Sequence, residues 1–320
     1  MDYIFAVARI RYKEMSLLTS QFLERLIACE TYKECLSLLN EKGWTEAESN
    51  KDINALLQAQ RDQTWAYIAE LVDDTSKFDV FKYANDFHNL KAAIKLACTN
   101  VEVENVFNYH SSISPDVIYQ AVKQQDYSLL PEYMASAAQK AYDELSINKD
   151  GQMCDVIIDK AALEAILKAG GEADDEVIAF YAETTVACAD IKIAARCAKM
   201  SKPASFITQA LAECNTLNIA ELSSAATKSF DDVCAYLSTT IYSEAANALR
   251  SSFSEFECWC DNYIIERIRE QKYNSDTLGP IVAYMIAKEN EIKVVKIILS
   301  GKLNELKTES IRERLRQMYV

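Results

Sequence analysis

Three short segments recur along this chain at a fixed spacing, and that period constrains the fold more than any other feature. They are Asn89-Leu90-Lys91, Asp190-Ile191-Lys192 and Glu291-Ile292-Lys293, separated by 101 positions each time. Each places a polar residue, a branched apolar residue and a lysine in a row. A second cation follows one helical turn on: Lys95, Arg196 and Lys296. Self-similarity at a fixed period points to one folding unit that was copied. A fainter echo supports it. Thr31-Tyr32, Asp126-Tyr127 and Ser229-Phe230 each set a helix-capping residue before an aromatic. Three units are therefore expected, over residues 1–105, 106–206 and 207–320.

The units read as helical. The 320 residues include only six glycines and four prolines, well below the roughly 12% the pair contributes on average. Strict apolar/polar alternation is rare, and half the chain is apolar, enough for a large core. The fold class is all-α. On the first anchor segment Leu90, Ala93, Ile94 and Ala97 fall at i, i+3, i+4 and i+7, one buried stripe of a helix over 86–98. Pro115 opens a helix over 115–124, and another is expected over 230–237. Gly170-Gly171 reads as the cap of a helix over 153–169. The last anchor helix is expected over 281–299, a turn at Ser300-Gly301 follows, and a final helix covers 310–318.

Charge removes several functions. Lysine and arginine number 34 against 48 acidic residues, a net charge of −14. A phosphate-backbone binder concentrates basic surface, so nucleic acid is not an expected partner. Anionic lipid is disfavoured for the same reason. No apolar run reaches the 18 or so residues of a membrane span. The start, Met1-Asp2-Tyr3-Ile4-Phe5, lacks a basic region before an apolar core, so no secretion signal is expected. Ten cysteines, several among apolar neighbours, read as buried thiols in a reducing compartment.

Catalytic constellations are hard to assemble. There are two histidines, His88 and His110, which leaves few ways to build a Ser-His-Asp or Cys-His arrangement. Cys258-x-Cys260 has no second pair at zinc spacing. Phosphate-cradling glycine loops are absent. Neither a cofactor, a metal nor a small-molecule substrate is expected.

The polar groups of interest are the cation pairs Lys91/Lys95, Lys192/Arg196 and Lys293/Lys296. Like charges this close on a helix cost a few tenths of a kcal/mol. Salt bridges to acids on adjacent helices would explain them; so would a common partner. His88 has two readings as well: a histidine near a helix start bonded to a neighbouring acid, or a partner contact.

Asp86-Phe87-His88-Asn89-Leu90-Lys91 resembles the D-x-H-N-L-K motif of the C-type stalk proteins of bacterial and archaeal V/A-type rotary ATPases, relatives of the d-type protein of eukaryotic V-ATPases. The opening Ala6-Val7-Ala8-Arg9-Ile10-Arg11, with Glu14 and Leu17-Leu18, is similar to that family's start. The ending is similar too, through Ala283-Tyr284, Lys288-Glu289-Asn290-Glu291-Ile292-Lys293 and Ile297 to Leu303, then Ile311 to Arg316. The likeness spans essentially the whole chain. It departs where Asp190 and Glu291 replace Asn89.

The resemblance implies three similar helical domains about a pseudo-threefold axis, shaped like a funnel. It implies a non-catalytic place in the central stalk, on the cytoplasmic side of a membrane. There the chain would join shaft proteins of the D and F type to the proteolipid ring and carry torque for proton or sodium transport. The residues expected to meet those partners are Arg9, Arg11, His88, Asn89, Lys91, Lys95, Asp190, Lys192, Arg196, Glu291, Lys293 and Lys296. The alternatives are a helical-repeat adaptor unrelated to the ATPase and a stand-alone hydrolase using paired carboxylates.

Overall fold

A computed structural model describes residues 3–44, 53–99 and 105–320, and no strand occurs among them. In chain order the α-helices are α1 (Ile4–Glu14), α2 (Ser20–Ala28), α3 (Tyr32–Asn40), α4 (Ile53–Ala69), α5 (Tyr83–Thr99), α6 (Pro115–Gln124), α7 (Glu132–Asp143) and α8 (Gly151–Glu172). They continue with α9 (Glu176–Lys199), α10 (Ala204–Ala210), α11 (Ile219–Lys228), α12 (Phe230–Leu237), α13 (Ser243–Ser251), α14 (Phe253–Ile268), α15 (Gly279–Leu303) and α16 (Thr308–Arg312). The chain folds as all-α.

The helices gather into two compact units. One holds Met1–Thr75, Asp175–Val177 and Asn247–Val320; the other holds Ser76–Asp174 and Ile178–Ala246. In the second unit α5 packs on α6, α7 and α8. Leu90, Ala93 and Ile94 lie fully inside with Ile118, Met134 and Ile158, while Ala97 sits at the edge of that core. The stripe expected from spacing is therefore the face that α5 buries, although the helix begins at Tyr83, before the expected 86.

The first unit is built from both ends of the chain. Ile292, Val295, Ile298 and Leu299 of α15 share a core with Leu18, Phe22, Leu26, Leu39 and Leu56. Of the 25 residues of α15, 18 are buried, which marks it as a central rather than a surface helix.

Helix starts follow local chemistry. Thr31 accepts the N–H of Glu34 at 3.2 Å, Asp126 that of Ser128 at 3.2 Å, and Ser229 that of Asp232 at 3.0 Å. Each side-chain oxygen satisfies a donor that the first helical turn leaves free.

Three helix ends differ from expectation. Helix α8 does not stop at Gly170-Gly171 but runs through to Glu172. A Cβ at Gly170 would stand 2.2 Å from the Cβ of Ala182 on α9, so the missing side chain permits close helix–helix approach rather than a cap. Helix α15 likewise passes through Ser300-Gly301. There a Cβ would come within 2.6 Å of Ile311 Cγ1, and glycine lets the following turn fold back. The final helix is only Thr308–Arg312. Beyond it Met318 and Tyr319 are buried, and their carbonyls accept from Arg269 and from Lys272, the latter at 2.8 Å. Side-chain donors there replace a helical ladder. Helix α1 is not among the helices expected from spacing, because its apolar residues form two stripes: Ala6, Val7 and Ile10 point inward, while Phe5 and Tyr12, with Met15 just past its end, are exposed.

Candidate functional site

The three residues spaced by 101 have no exposed surface at all. All three do the same thing. Each side chain accepts a backbone N–H from a segment outside its own helix.

On α5 the Asn89 carboxamide meets Asn108 as a neighbouring strand would. Oδ1 accepts the Asn108 N–H at 2.7 Å, and Nδ2 donates to the Asn108 carbonyl at 2.8 Å. Asp86, one turn earlier, accepts the N–H groups of Ser112 at 2.8 Å and Ile113 at 3.2 Å, and the Ser112 hydroxyl. Burial raises the Asp86 pKa, and those three donors pull it back. Asn85 Nδ2 donates to the His110 carbonyl at 2.6 Å. His88 is exposed and its Nε2 lies 3.1 Å from the Val106 carbonyl. Its partner is a backbone oxygen, not the neighbouring acid expected. The motif from Asp86 to Lys91 thus ties down the polar segment 106–113, whose carbonyls and N–H groups have no helix to satisfy them.

On α9, Asp190 Oδ1 accepts the Ala212 N–H at 3.0 Å. Burial pushes this carboxyl up to about 7. On α15, Glu291 Oε2 accepts the Leu18 N–H at 2.5 Å, and Lys288 binds Oε1. The Lys288 ammonium also lies 4.7 Å from the centre of the Trp44 ring. The captured residue follows its anchor by 19 positions at Asn89 and by 22 at Asp190. For Glu291 it comes from the chain's beginning.

The cations flanking the anchors point to acids on neighbouring helices. Lys91 pairs with Asp159 at 2.7 Å and Lys95 with Asp155 at 2.8 Å, both on α8. Lys293 pairs with Asp261 of α14 at 2.7 Å, and Arg316 shares that carboxylate at 2.8 Å. Lys192 and Arg196 each interact with neighbouring groups. Lys296 is exposed. Salt bridging therefore accounts for the pairs Lys91/Lys95 and for Lys293 without a second molecule.

Of the two arginines on α1, Arg11 is an internal brace. It binds Glu14 through Nη1 at 2.8 Å and the carbonyls of Gln271 and Asn274 through Nη2, the latter at 2.8 Å. Arg9 lies half-exposed, 2.9 Å from Glu70 and 5.1 Å from the centre of the Tyr67 ring. It lines a shallow cleft with Ala8, Tyr12, Lys13 and Tyr67. Beside it Phe5 is 74% exposed, Tyr12 77% and Met15 80%. Sequence reasoning missed this outward apolar stripe, although the spacing 5, 8, 12 and 15 carries it. It also missed Lys288 as the counter-ion of Glu291; the i, i+3 relation was its signal. Among the described residues no three metal-ligating side chains converge, and no helix is long and apolar enough to cross a membrane.

Residues 6–314 match the family described as ATP synthase (C/AC39) subunit. The chain belongs to that family. It is 22% identical over 331 aligned residues to the C subunit of the V-type sodium ATPase of Enterococcus hirae, covering 100% of this chain and 99% of that one. It is 23% identical over 349 to the C subunit of the A-type ATP synthase of Methanocaldococcus jannaschii, covering 98% of this chain and 86% of the relative. Both relatives are C subunits, one of a V-type ATPase and one of an A-type ATP synthase, and membership of the C/AC39 family speaks against an adaptor unrelated to the ATPase. Its D-x-H-N-L-K motif is, in this member, a clamp on its own backbone.

Proposed function

We propose that this C/AC39 protein is a non-catalytic mechanical coupling of the central stalk, joining the D- and F-type shaft proteins to the proteolipid ring on the cytoplasmic side. The observation that carries the proposal is the set of three buried anchors, each fastening a segment remote from its own helix. A part that transmits torque must resist shear between its helices. Close-packed interiors do so because they have low compressibility. Buried side-chain clamps add directional bonds that a sliding helix would break at a cost of about 1–3 kcal/mol each.

The tripled sequence is best understood as a cyclic repeat. Each module runs from an anchor helix into the segment that the anchor fastens, and the N-terminal helices complete the module opened by α15. Of the residues named for partner contact, His88, Lys95, Arg196, Lys293 and Lys296 are exposed, and Arg9, Arg11, Lys91 and Lys192 are partly so. Asn89, Asp190 and Glu291 serve by stiffening.

The test is reconstitution. Purified chain, presented with shaft proteins and with detergent-solubilised proteolipid ring, is expected to be retained by both and to bridge them in one complex. Retention by neither overturns the coupling role. ATP turnover by the chain alone would overturn the non-catalytic assignment.

A further inference from the structure

The three anchors answer the same burial problem in different ways. Asn89 is neutral, and both ends of its amide are bonded. Glu291 is met by Lys288. Asp190 has neither device. It is fully enclosed, Oδ1 accepts one N–H, and among the described residues Oδ2 has no hydrogen-bond partner.

Its charged surroundings do not make up the difference. Lys160 on α8 favours the ionised carboxylate; Glu183, two turns earlier on α9, and Glu213, beside Ala212, oppose it. The thiol of Cys214 faces it from the same segment, itself pushed up to about 11 by burial. Lys160 and Glu183 are partly exposed and Glu213 is exposed, so solvent weakens their pull on the enclosed carboxyl and its desolvation is the dominant influence. The segment that Asp190 holds is packed rather than loose. Leu211, Ala212 and Leu217 are buried, and Thr216 donates its N–H and hydroxyl to Glu183, each at 2.7 Å.

We propose that Asp190 is a proton-operated latch within this unit: its neutral carboxyl keeps residues 211–217 seated on α9, and loss of the proton weakens that seat. No covalent bond of the chain's framework changes. The proton leaves to solvent when the segment opens and water reaches Oδ2. In the opened state the carboxyl titrates as an ordinary aspartate, near 4; in the closed state it titrates near 7. Between those values each opening releases one proton, so opening grows about tenfold per pH unit and levels off above the upper value. The amide at Asn89 carries no proton to lose, so the device is absent from that register.

The experiment is amide hydrogen exchange of the intact chain, read over residues 211–217 from pH 5 to 8 as protection factors corrected for intrinsic rates. In the wild type, protection is expected to fall about tenfold per unit up to about pH 7 and then level. Asp190→Asn, which puts at 190 the side chain that already fills this register at 89, is expected to be flat; Glu183→Gln is expected to keep the slope. A slope that survives in Asp190→Asn, or disappears in Glu183→Gln alone, overturns the proposal. Carboxyl 13C titration of the wild type decides independently should Asp190→Asn fail to fold. One aspartate must show a midpoint near 7; midpoints all below about 5 would falsify the latch.

Discussion

The backbone N–H of Leu18 donates to Oε2 of Glu291 at 2.5 Å, joining positions 273 residues apart. The same carboxylate holds the buried Lys288 ammonium. One side chain thus closes the N-terminal helices onto α15 and neutralises an enclosed cation.

Removing it should be costly. Glu291→Ala leaves Lys288 buried without its anion and the Leu18 N–H without an acceptor. Loss of one partner of a buried pair costs about 3–5 kcal/mol. Urea denaturation should show that loss, and Glu291→Gln, which keeps an acceptor for Leu18, should lose less. Equal losses for the two variants would mean that the Leu18 hydrogen bond contributes nothing and that the lost ion pair accounts for the whole effect.

Asn89→Ala tests the first anchor. It removes the side-chain partner of the N–H and the carbonyl of partly buried Asn108, each bonded within 2.8 Å. The expected cost is about 1–3 kcal/mol, read as a lowered denaturation midpoint at unchanged slope. A change under about 0.5 kcal/mol, the ordinary scatter of surface substitutions, would show the clamp to be dispensable.

The paired glycines of α8 separate close approach from helix propensity. Gly170→Ala forces a methyl to 2.2 Å from Ala182 Cβ, whereas nothing lies within 4 Å of a Cβ at Gly171. Overpacking should cost the first variant about 1–3 kcal/mol. The second should be stabilised by up to about 1 kcal/mol, the helix preference for alanine. Thermal melts of the two variants should therefore move in opposite directions.

The pH dependence carries a definite sign. The folded-state pKa of Asp190 is raised to about 7 by burial, so the native chain binds more protons than the unfolded one between about 4 and about 7. Its contribution to stability is intact below that window and is lost as pH rises through it. Asp86, also raised by burial, acts in the same direction. Chemical denaturation at pH 4.5 and pH 8 should show Asp190→Asn gaining on the wild type at the higher pH, by a few kcal/mol at most. A variant that gains at the lower pH instead contradicts the sign.

The exposed lysines distinguish stability from assembly. Lys95 and Lys293 are nearly half exposed in their ion pairs, and such pairs are worth at most about 1 kcal/mol. Lys95→Ala and Lys293→Ala should leave the melting temperature almost unchanged. If those cations also meet a partner, retention by the shaft or ring will fall tenfold or more; unchanged retention assigns them to α8 and α14 alone.

Much of the local structure was legible in the residues. Thr31, Asp126 and Ser229 cap where their side chains can reach a free N–H, and α6 and α12 begin and end where expected, because those choices depend on residues within one turn. The helix ends that differed depend on neighbours. Gly170 and Gly301 look like stops from the sequence, yet each lies inside a helix because another element presses against it. Helix α1 escaped notice because a second apolar stripe, Phe5, Tyr12 and Met15, blurs the first.

By itself, the sequence determined the helical class, the period of 101 and the family, since composition, spacing and motif are properties of neighbours along the chain. Only the tertiary structure decided what the repeated positions do. A polar residue in a helix faces water or the interior according to what packs against it, and the partners of Asn89, Asp190 and Glu291 lie 19, 22 and 273 residues away. A hydrogen bond of that reach leaves no trace in local pattern, because its geometry exists only after the helices have closed upon one another.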